Sequence, residues 1–281
     1  MIIAYHRPQT LEETLQLITR PNPLTLPLGG GTVLNAPHAG EYAVADLQAL
    51  PLKSIEPHGS TLEIGAISTL QALLNFPDLH PALKKAIQHE ATYNLRQVGT
   101  VAGTLIASDG RSPFAAALLA LDAQLTLLPG DEQHDLGDIL HLRNTQPEST
   151  DQQIGKSANQ QIPNPQYPIS FLPNRLITRI SISTKTTLAY EYVARTPADR
   201  PIVAVAAARW PAGRVRIVVG GWGSTPRLAL DAPEPGGVEA EGYFRFAVRS
   251  VTAEAGDQWA SAEYRQDVAV TLARRVIESI T

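Results

Sequence analysis

The sequence contains no cysteine and a single methionine, and aromatic residues make up only 6% of it. The missing cysteines exclude disulfides, a thiol nucleophile and any thiolate-held zinc or iron-sulfur cluster in this chain, so redox chemistry here would need a bound organic cofactor. Charge of neither sign dominates. With 23 Lys and Arg against 27 Asp and Glu the formal net charge is -4, and the basic residues are scattered rather than striped, which leaves no field for nucleic acid. No apolar run approaches the roughly 18 to 20 residues of a membrane span, and MIIAYHRPQT lacks a basic segment leading into an apolar one. A cytoplasmic protein is the expectation. The seven histidines show no ligand spacing, His134 and His141 being the closest pair, and they read as surface residues. No GxSxG marks a hydrolase.

What is present is an ordinary globular composition: 281 residues, 43% of them hydrophobic, enough for two domains or three small ones. Helix and strand signals interleave through the first half. Thr10-Leu11-Glu12-Glu13 is a capping box ahead of Leu15 and Ile18. Tyr42 to Leu47 reads as a strand, Ser68 to Gln71 repeats the capping signal before Leu73 and Leu74, and Pro81 suits the first position of a helix carrying Leu83, Ala86 and Ile87. Ala115 to Ala123 predicts a buried helix, and Gln124 to Leu128 the strand after it.

From His141 to Ser170 the composition turns to Gln, Asn, Pro and Ser, which predicts a long surface linker. Beyond it, Ile177 to Ser183, Thr187 to Val193, Ile202 to Arg209 and Arg214 to Val219 alternate or are β-branched, as strands of one antiparallel sheet would. The chain then turns helical. Ser261 can cap a final helix with Tyr264, Val268, Leu272 and Val276 along one face.

Two glycine-centred stretches carry the chemistry, LGGGTVLN (Leu28 to Asn35) and GTVAGTLIASDG (Gly99 to Gly110). Gly29, Gly30 and Gly31 permit positive φ and leave no side chain between backbone amides and a ligand, so with Thr32 they can form an anion nest or a plain tight turn. Thr100 to Thr104 is a second small-residue turn bounded by hydroxyls, or a strand bend. If the two meet, they form a clamp for a pyrophosphate. The commoner phosphate motifs fail: Leu34 stands where GxGxxG needs its third glycine, and Gly155-Lys156-Ser157 has Thr150 where a P-loop begins and sits inside the polar linker.

The first glycine turn, Asp46-Leu47 with Pro51-Leu52 and Ile55, LEIGAISTLQAL, LRQVGTVAGTL, ALLALDA, GGWGSTPRLA and SAEYRQDVAVTLARRVI follow one another as in the FAD-binding subunit of molybdenum hydroxylases, which the chain resembles along nearly its whole length. That family includes the flavin components of xanthine dehydrogenase, carbon monoxide dehydrogenase and aldehyde oxidoreductase. The resemblance implies an α+β fold: a two-lobed PCMH-type FAD-binding domain, with a βα lobe over 1–55 and a second α+β lobe over 56–170 that includes the linker 141–170. A C-terminal flavoprotein domain over 171–281 would follow, an antiparallel sheet with a helical bundle. It implies FAD held at Gly29, Gly30, Gly31, Thr32, Val33, Leu34 and Asn35 in the first loop and Thr100, Val101, Ala102, Gly103 and Thr104 in the second. Ala107, Asp109, Ser112 and Pro113 would lie toward the ribityl and flavin, together with Leu176 and Tyr192. No catalytic acid or base and no metal ligand is implied. Electrons would arrive from a partner subunit with two [2Fe-2S] clusters, fed by a molybdenum-cofactor subunit, and leave to NAD, a quinone or oxygen.

The chain departs from the family where Thr100-Val101-Ala102-Gly103-Thr104 replaces Thr-Ile-Gly-Gly-Asn, where Ala107 and Pro113 replace polar residues, where Val33 stands for a polar one, and where Tyr192 takes the place of a lysine. These departures keep two other expectations open, a flavin-free scaffold that retains fold and interfaces, and a flavin or nucleotide module without molybdenum partners. Trp210, Trp222 and Trp259 read as core or interface aromatics, and Arg265, Arg274 and Arg275 as salt-bridge or subunit-contact residues.

Overall fold

The computed structural model describes residues 1–34, 41–145, 172, 174–234 and 240–280. The N-terminal lobe contains β1 (Ile2–His6), α1 (Leu11–Thr19), β2 (Thr25–Leu28) and β3 (Tyr42–Asp46), its strands forming a parallel sheet in the order β1-β3-β2. Every residue of the central β3 is buried, as a strand flanked on both edges and covered on both faces must be. The Thr10 hydroxyl oxygen accepts from Glu13 N at 3.1 Å, while the Glu13 carboxylate reaches one residue further back than expected, to Gln9 N at 2.8 Å. β3 ends one residue early because Asp46 accepts from Gln48 N at 3.0 Å and starts a 3-10 turn over Leu47–Ala49.

The second lobe runs β4 (Ile55–His58), β5 (Thr61–Gly65), α2 (Leu70–Leu74), α3 (Pro81–Glu90), α4 (Tyr93–Val98), α5 (Val101–Ala107), α6 (Pro113–Ala120), β6 (Gln124–Leu128), β7 (Glu132–Asp135) and α7 (Leu136–Thr145). α7 occupies the first residues of the expected polar linker, and the rest of that linker lies outside the described residues. α6 starts at Pro113, earlier than the apolar run suggests, because Ser112 caps it; it stops before Ala123 because Asp122 adopts φ 55°. All eight residues of α6 are buried.

The strand expected at Ile177 to Ser183 as part of the C-terminal sheet is β8 (Leu176–Ser183), and it pairs elsewhere. It inserts between β5 and β6, completing an antiparallel sheet in the order β4-β5-β8-β6-β7. Its alternation explains the choice: Ile180 and Ile182 lie opposite Ile64 and Leu62, and Ile180 also opposite Leu125, so one face closes a common apolar layer.

β9 (Thr187–Val193), β10 (Val203–Arg209), β11 (Arg214–Gly220) and β12 (Arg227–Pro233) form the second antiparallel sheet, in the order β12-β11-β10-β9. This sheet has helices on both faces. Ala204, Ala206 and Ala208 of β10 join the core around α3 and α6, whereas Val203, Val205 and Ala207 join the one around α8 (Ala240–Val251) and α9 (Ala262–Ile280). That is why Val203 to Ala208 reads as a continuous apolar run. Ser261 caps α9 as expected, accepting from Tyr264 N at 3.2 Å. The buried face, however, is Arg265, Ala269, Leu272, Ala273, Val276 and Ile280; Tyr264 is exposed, so the predicted stripe is displaced at its start by a buried arginine. The α+β class expected from the sequence is the observed one.

Candidate functional site

The two glycine-centred stretches touch. β2 delivers the first loop against the segment joining α4 to α5, so closely that a Cβ on Gly30 would lie 1.7 Å from the Val98 carbonyl oxygen and one on Gly29 would lie 2.6 Å from Thr100 Oγ1. Glycine is required here for the close approach of two backbones. Gly31, with φ 69°, then turns the loop into Thr32 to Leu34. Gln48 ties the loop to its own lobe, its side-chain amide donating to Gly29 O at 3.0 Å.

The two loops do not contribute alike. Val101 N donates to Ser68 O at 2.9 Å, Ala102 N to Ala66 O at 3.0 Å, Gly103 N to Thr100 Oγ1 at 3.2 Å and Thr104 N to Thr100 O at 2.8 Å. The second stretch is therefore neither a nest nor a strand bend but the capped first turn of α5, with its amides engaged. By contrast, the amides of Gly30, Gly31 and Thr32 donate to nothing among the described residues. The first loop thus leaves backbone amides unengaged among the described residues, and the second contributes a wall and the Thr100 hydroxyl.

Between the loops lies a cleft of about 180 Å³ lined by Gly29 to Leu34, Thr100, Ala102, Gly103, Ala107 and Leu176 among the residues expected at the site. Its remaining walls are Leu26, Pro27, Leu28, Leu47, Ala66, Ile67, Ile106, Leu172, Arg175 and Ile177. Most of these are apolar and carry no sequence signal that separates them from core. Arg175 is the one charged side chain among the described lining residues.

Other expected site residues lie away from this cleft. Val101 is buried in the core, and the Thr104 hydroxyl donates to Thr100 O at 2.8 Å. Asp109 pairs with Arg200 and accepts from Arg111 N at 2.8 Å, while Ser112 and Pro113 are buried at the start of α6. The Tyr192 ring packs tilted against that of His89, ring centroids 3.9 Å apart. Asn35 lies outside the described residues. The loop from Ser108 to Ser112 is held to the C-terminal sheet: Gly110 N donates to Gly223 O at 2.9 Å and Gly221 N to Gly110 O at 2.7 Å. The tryptophans divide similarly: Trp222 is buried, its ring centroid 6.0 Å from the Arg265 guanidinium carbon, whereas Trp259 is exposed, with the guanidinium carbons of Arg111 and Arg195 5.1 and 4.6 Å from its ring centroid.

Ser112 also bonds the end of α3, donating to Glu90 Oε2 at 2.7 Å, and Phe114 N donates to the same oxygen at 3.0 Å. Burial pushes the Glu90 carboxyl above its usual range, and neither these two bonds nor the nearby Arg200 fully offsets it. A carboxyl whose folded value exceeds its unfolded one, about 4.3, gives stability that is full below that value and is lost as pH rises through the folded one. Glu90→Gln removes this titration. Denaturant unfolding should therefore show the variant gaining on wild type as pH rises through the acidic range; a pH-independent difference would contradict the assignment.

This architecture is shared with solved oxidoreductases over essentially the whole chain. Quinoline 2-oxidoreductase from Pseudomonas putida 86 superposes with a TM-score of 0.73 at 19% identity, covering 100% of this chain and 97% of that one. CO dehydrogenase from Oligotropha carboxidovorans gives 0.75 at 22% identity, with 99% and 96% covered. In sequence, YgfM of Escherichia coli K12, itself called uncharacterized, is 32% identical over 133 residues, which is 47% of this chain and 51% of that protein. The match thus spans about half of the relative. Residues 1–161 match the family described as the FAD binding domain in molybdopterin dehydrogenase, and the chain belongs to that family. Its cofactor is FAD. Among the described residues no helix is long and apolar enough to cross a membrane.

Proposed function

We propose that this chain is the FAD-binding electron-transfer subunit of a cytoplasmic molybdenum hydroxylase. It would receive electrons from a partner with two [2Fe-2S] clusters, which drains a molybdenum-cofactor subunit, and pass them to NAD, a quinone or oxygen. The observation that carries the reading is the contact of the two loops, with Gly30, Gly31 and Thr32 presenting unengaged amides at an apolar cleft. Backbone amides in such a cradle suit a diphosphate, because each donor is fixed before the anion arrives. The fit is steric as well, since a Cβ at Gly29 or Gly30 would fill the place where the loops meet. When bound, the flavin supplies the electron chemistry. The chain's residues bind it, orient it and shield it: Leu26, Leu47, Ile67 and Ile177 form walls that exclude water.

Reconstitution of the purified chain with FAD tests this. Stoichiometric visible flavin absorbance is expected, with protection against unfolding of about 2.7 kcal/mol at a hundredfold excess over Kd. Absence of both would leave the flavin-free scaffold as the reading. Copurification of iron-sulfur and molybdenum subunits would separate the electron-transfer role from that of a lone flavin module.

A further inference from the structure

The charge balance of the cleft is incomplete without one residue. The diphosphate of FAD carries two negative charges at neutral pH, and taking an anion out of water into an apolar cleft is costly unless donors or a cation replace its hydration. The second loop cannot supply amides, because those of Val101 to Thr104 are engaged within the chain. The amides of the first loop carry only partial charges. Every described lining residue but one is apolar or an uncharged threonine or glycine, and the exception is Arg175.

Arg175 is placed by the fold. It immediately precedes β8, whose first residues Leu176 and Ile177 are buried and line the same cleft. Its guanidinium is held, among the described residues, through Nη1, 3.2 Å from Glu132 Oε2 and 3.1 Å from His134 Nε2, both on β7. Among the described residues its Nε–Nη2 edge makes no hydrogen bond or ion pair, and that edge of the planar fork is the one suited to two phosphate oxygens. The Arg175 side chain is 41% exposed and that of Glu132 54%, so their ion pair is of the weak, exchangeable kind that a doubly charged ligand can outcompete.

We infer that Arg175 is the cation that pairs with the diphosphate of the bound flavin dinucleotide, its exposed bonds to Glu132 and His134 giving way to the ligand. This inference rests on the FAD reading above. The competing role is a clip that fastens β7 to the start of β8, in which case Glu132 and Arg175 would matter equally and salt would not distinguish them.

The experiment titrates FAD into wild type, Arg175→Gln, Arg175→Lys and Glu132→Gln, following flavin fluorescence at several salt concentrations, with the thermal midpoint of each FAD-free protein as a check on folding. The expected result is a loss of affinity of tenfold or more in Arg175→Gln, a change within threefold in Glu132→Gln, and a shallower fall of affinity with salt in Arg175→Gln than in wild type. Arg175→Lys should keep the salt dependence and lose affinity, because it keeps the charge and loses the fork; if Arg175→Gln folds poorly, this variant decides. Equal losses in Arg175→Gln and Glu132→Gln, an unchanged salt dependence, or affinity within threefold of wild type in both Arg175 variants would each overturn the inference. Failure of wild type itself to bind FAD would instead remove the reading beneath it.

Discussion

Gly30→Ala should lower FAD affinity by about a hundredfold and destabilise the FAD-free protein by about 1 to 3 kcal/mol, the range for forcing an extra carbon into a packed position. The new Cβ would sit 1.7 Å from the Val98 carbonyl oxygen and 2.6 Å from its carbon. No rotamer relieves this, because both colliding partners are backbone. Nor can the facing segment retreat cheaply: Gly99 N donates to Leu95 O at 2.7 Å, and Gly99 O accepts from Leu70 N at 2.9 Å. The first loop must therefore move outward, carrying the unengaged amides of Gly31 and Thr32 away from Thr100. Misplacing several fixed donors at once loses most of what a pre-formed cradle contributes. The matched control is Gly242→Ala in α8, where a Cβ meets nothing within 4 Å and should stabilise the helix by about 0.5 to 1 kcal/mol. If FAD titrations place Gly30→Ala within threefold of wild type, the contact of the loops is not what shapes the site.

The elements that sequence reasoning located well are those whose signals are local. The Thr10 cap, Pro81 at the head of α3 and the bounds of β6 follow from residues within one turn or one strand of each other. What failed was partner choice. Nothing within Ile177 to Ser183 distinguishes a strand bound for the C-terminal sheet from one that closes over Leu62, Ile64 and Leu125, because those residues lie on distant strands. The stripe on α9 was displaced for a different reason: periodicity arguments place charged residues outside, and Arg265 is inside.

The candidate site was legible in outline for the same reason. Two runs of small residues announce close approach, and the approach is real at Gly29, Gly30 and Thr100. The division of labour between them was hidden, because the carbonyls that engage the amides of Val101 and Ala102 belong to Ser68 and Ala66, outside either motif. Position Tyr192 shows the same limit. A lysine is expected there from the resemblance, yet an ammonium reaches the place from another element: Lys85 Nζ of α3 lies 5.7 Å from the Tyr192 ring centroid and donates to Tyr190 O at 3.1 Å.

Arg265→Ala should be the most destabilising single change in the C-terminal half, by about 3 to 5 kcal/mol in denaturant unfolding, the cost of truncating a large buried side chain and stripping buried carbonyls of their donor. The Arg265 side chain is fully buried. Its guanidinium donates to Ile202 O at 3.0 Å, Ala260 O at 3.3 Å, Gly221 O at 3.4 Å and Ala255 O, and to Asp257 Oδ1 at 2.7 Å. One side chain thus joins α9 to the start of β10, to the turn after β11 and to the loop that precedes α9. Truncation would leave the carbonyls of Ile202, Gly221 and Ala255 without this donor, Ala260 O keeping the bond from Asp257 N at 3.1 Å, and open a cavity beside Trp222, whose ring centroid is 6.0 Å from the guanidinium carbon. Arg265→Lys should recover little, because a single ammonium cannot span acceptors arranged around a planar fork. The acid dependence supplies an independent check. Burial alone would raise the Asp257 carboxyl, but the bond from Arg265, the amides of Trp259 and Ala260 and the arginine's charge together hold it below the usual range. A depressed value means that its stabilisation is full above the unfolded value, near 3.9, and is lost as pH falls through the lower folded one. The gap between wild type and Arg265→Ala should therefore be widest near neutrality and narrow below about pH 4. A gap independent of pH would assign the loss to the cavity and the carbonyls alone, and would remove Asp257 from the account.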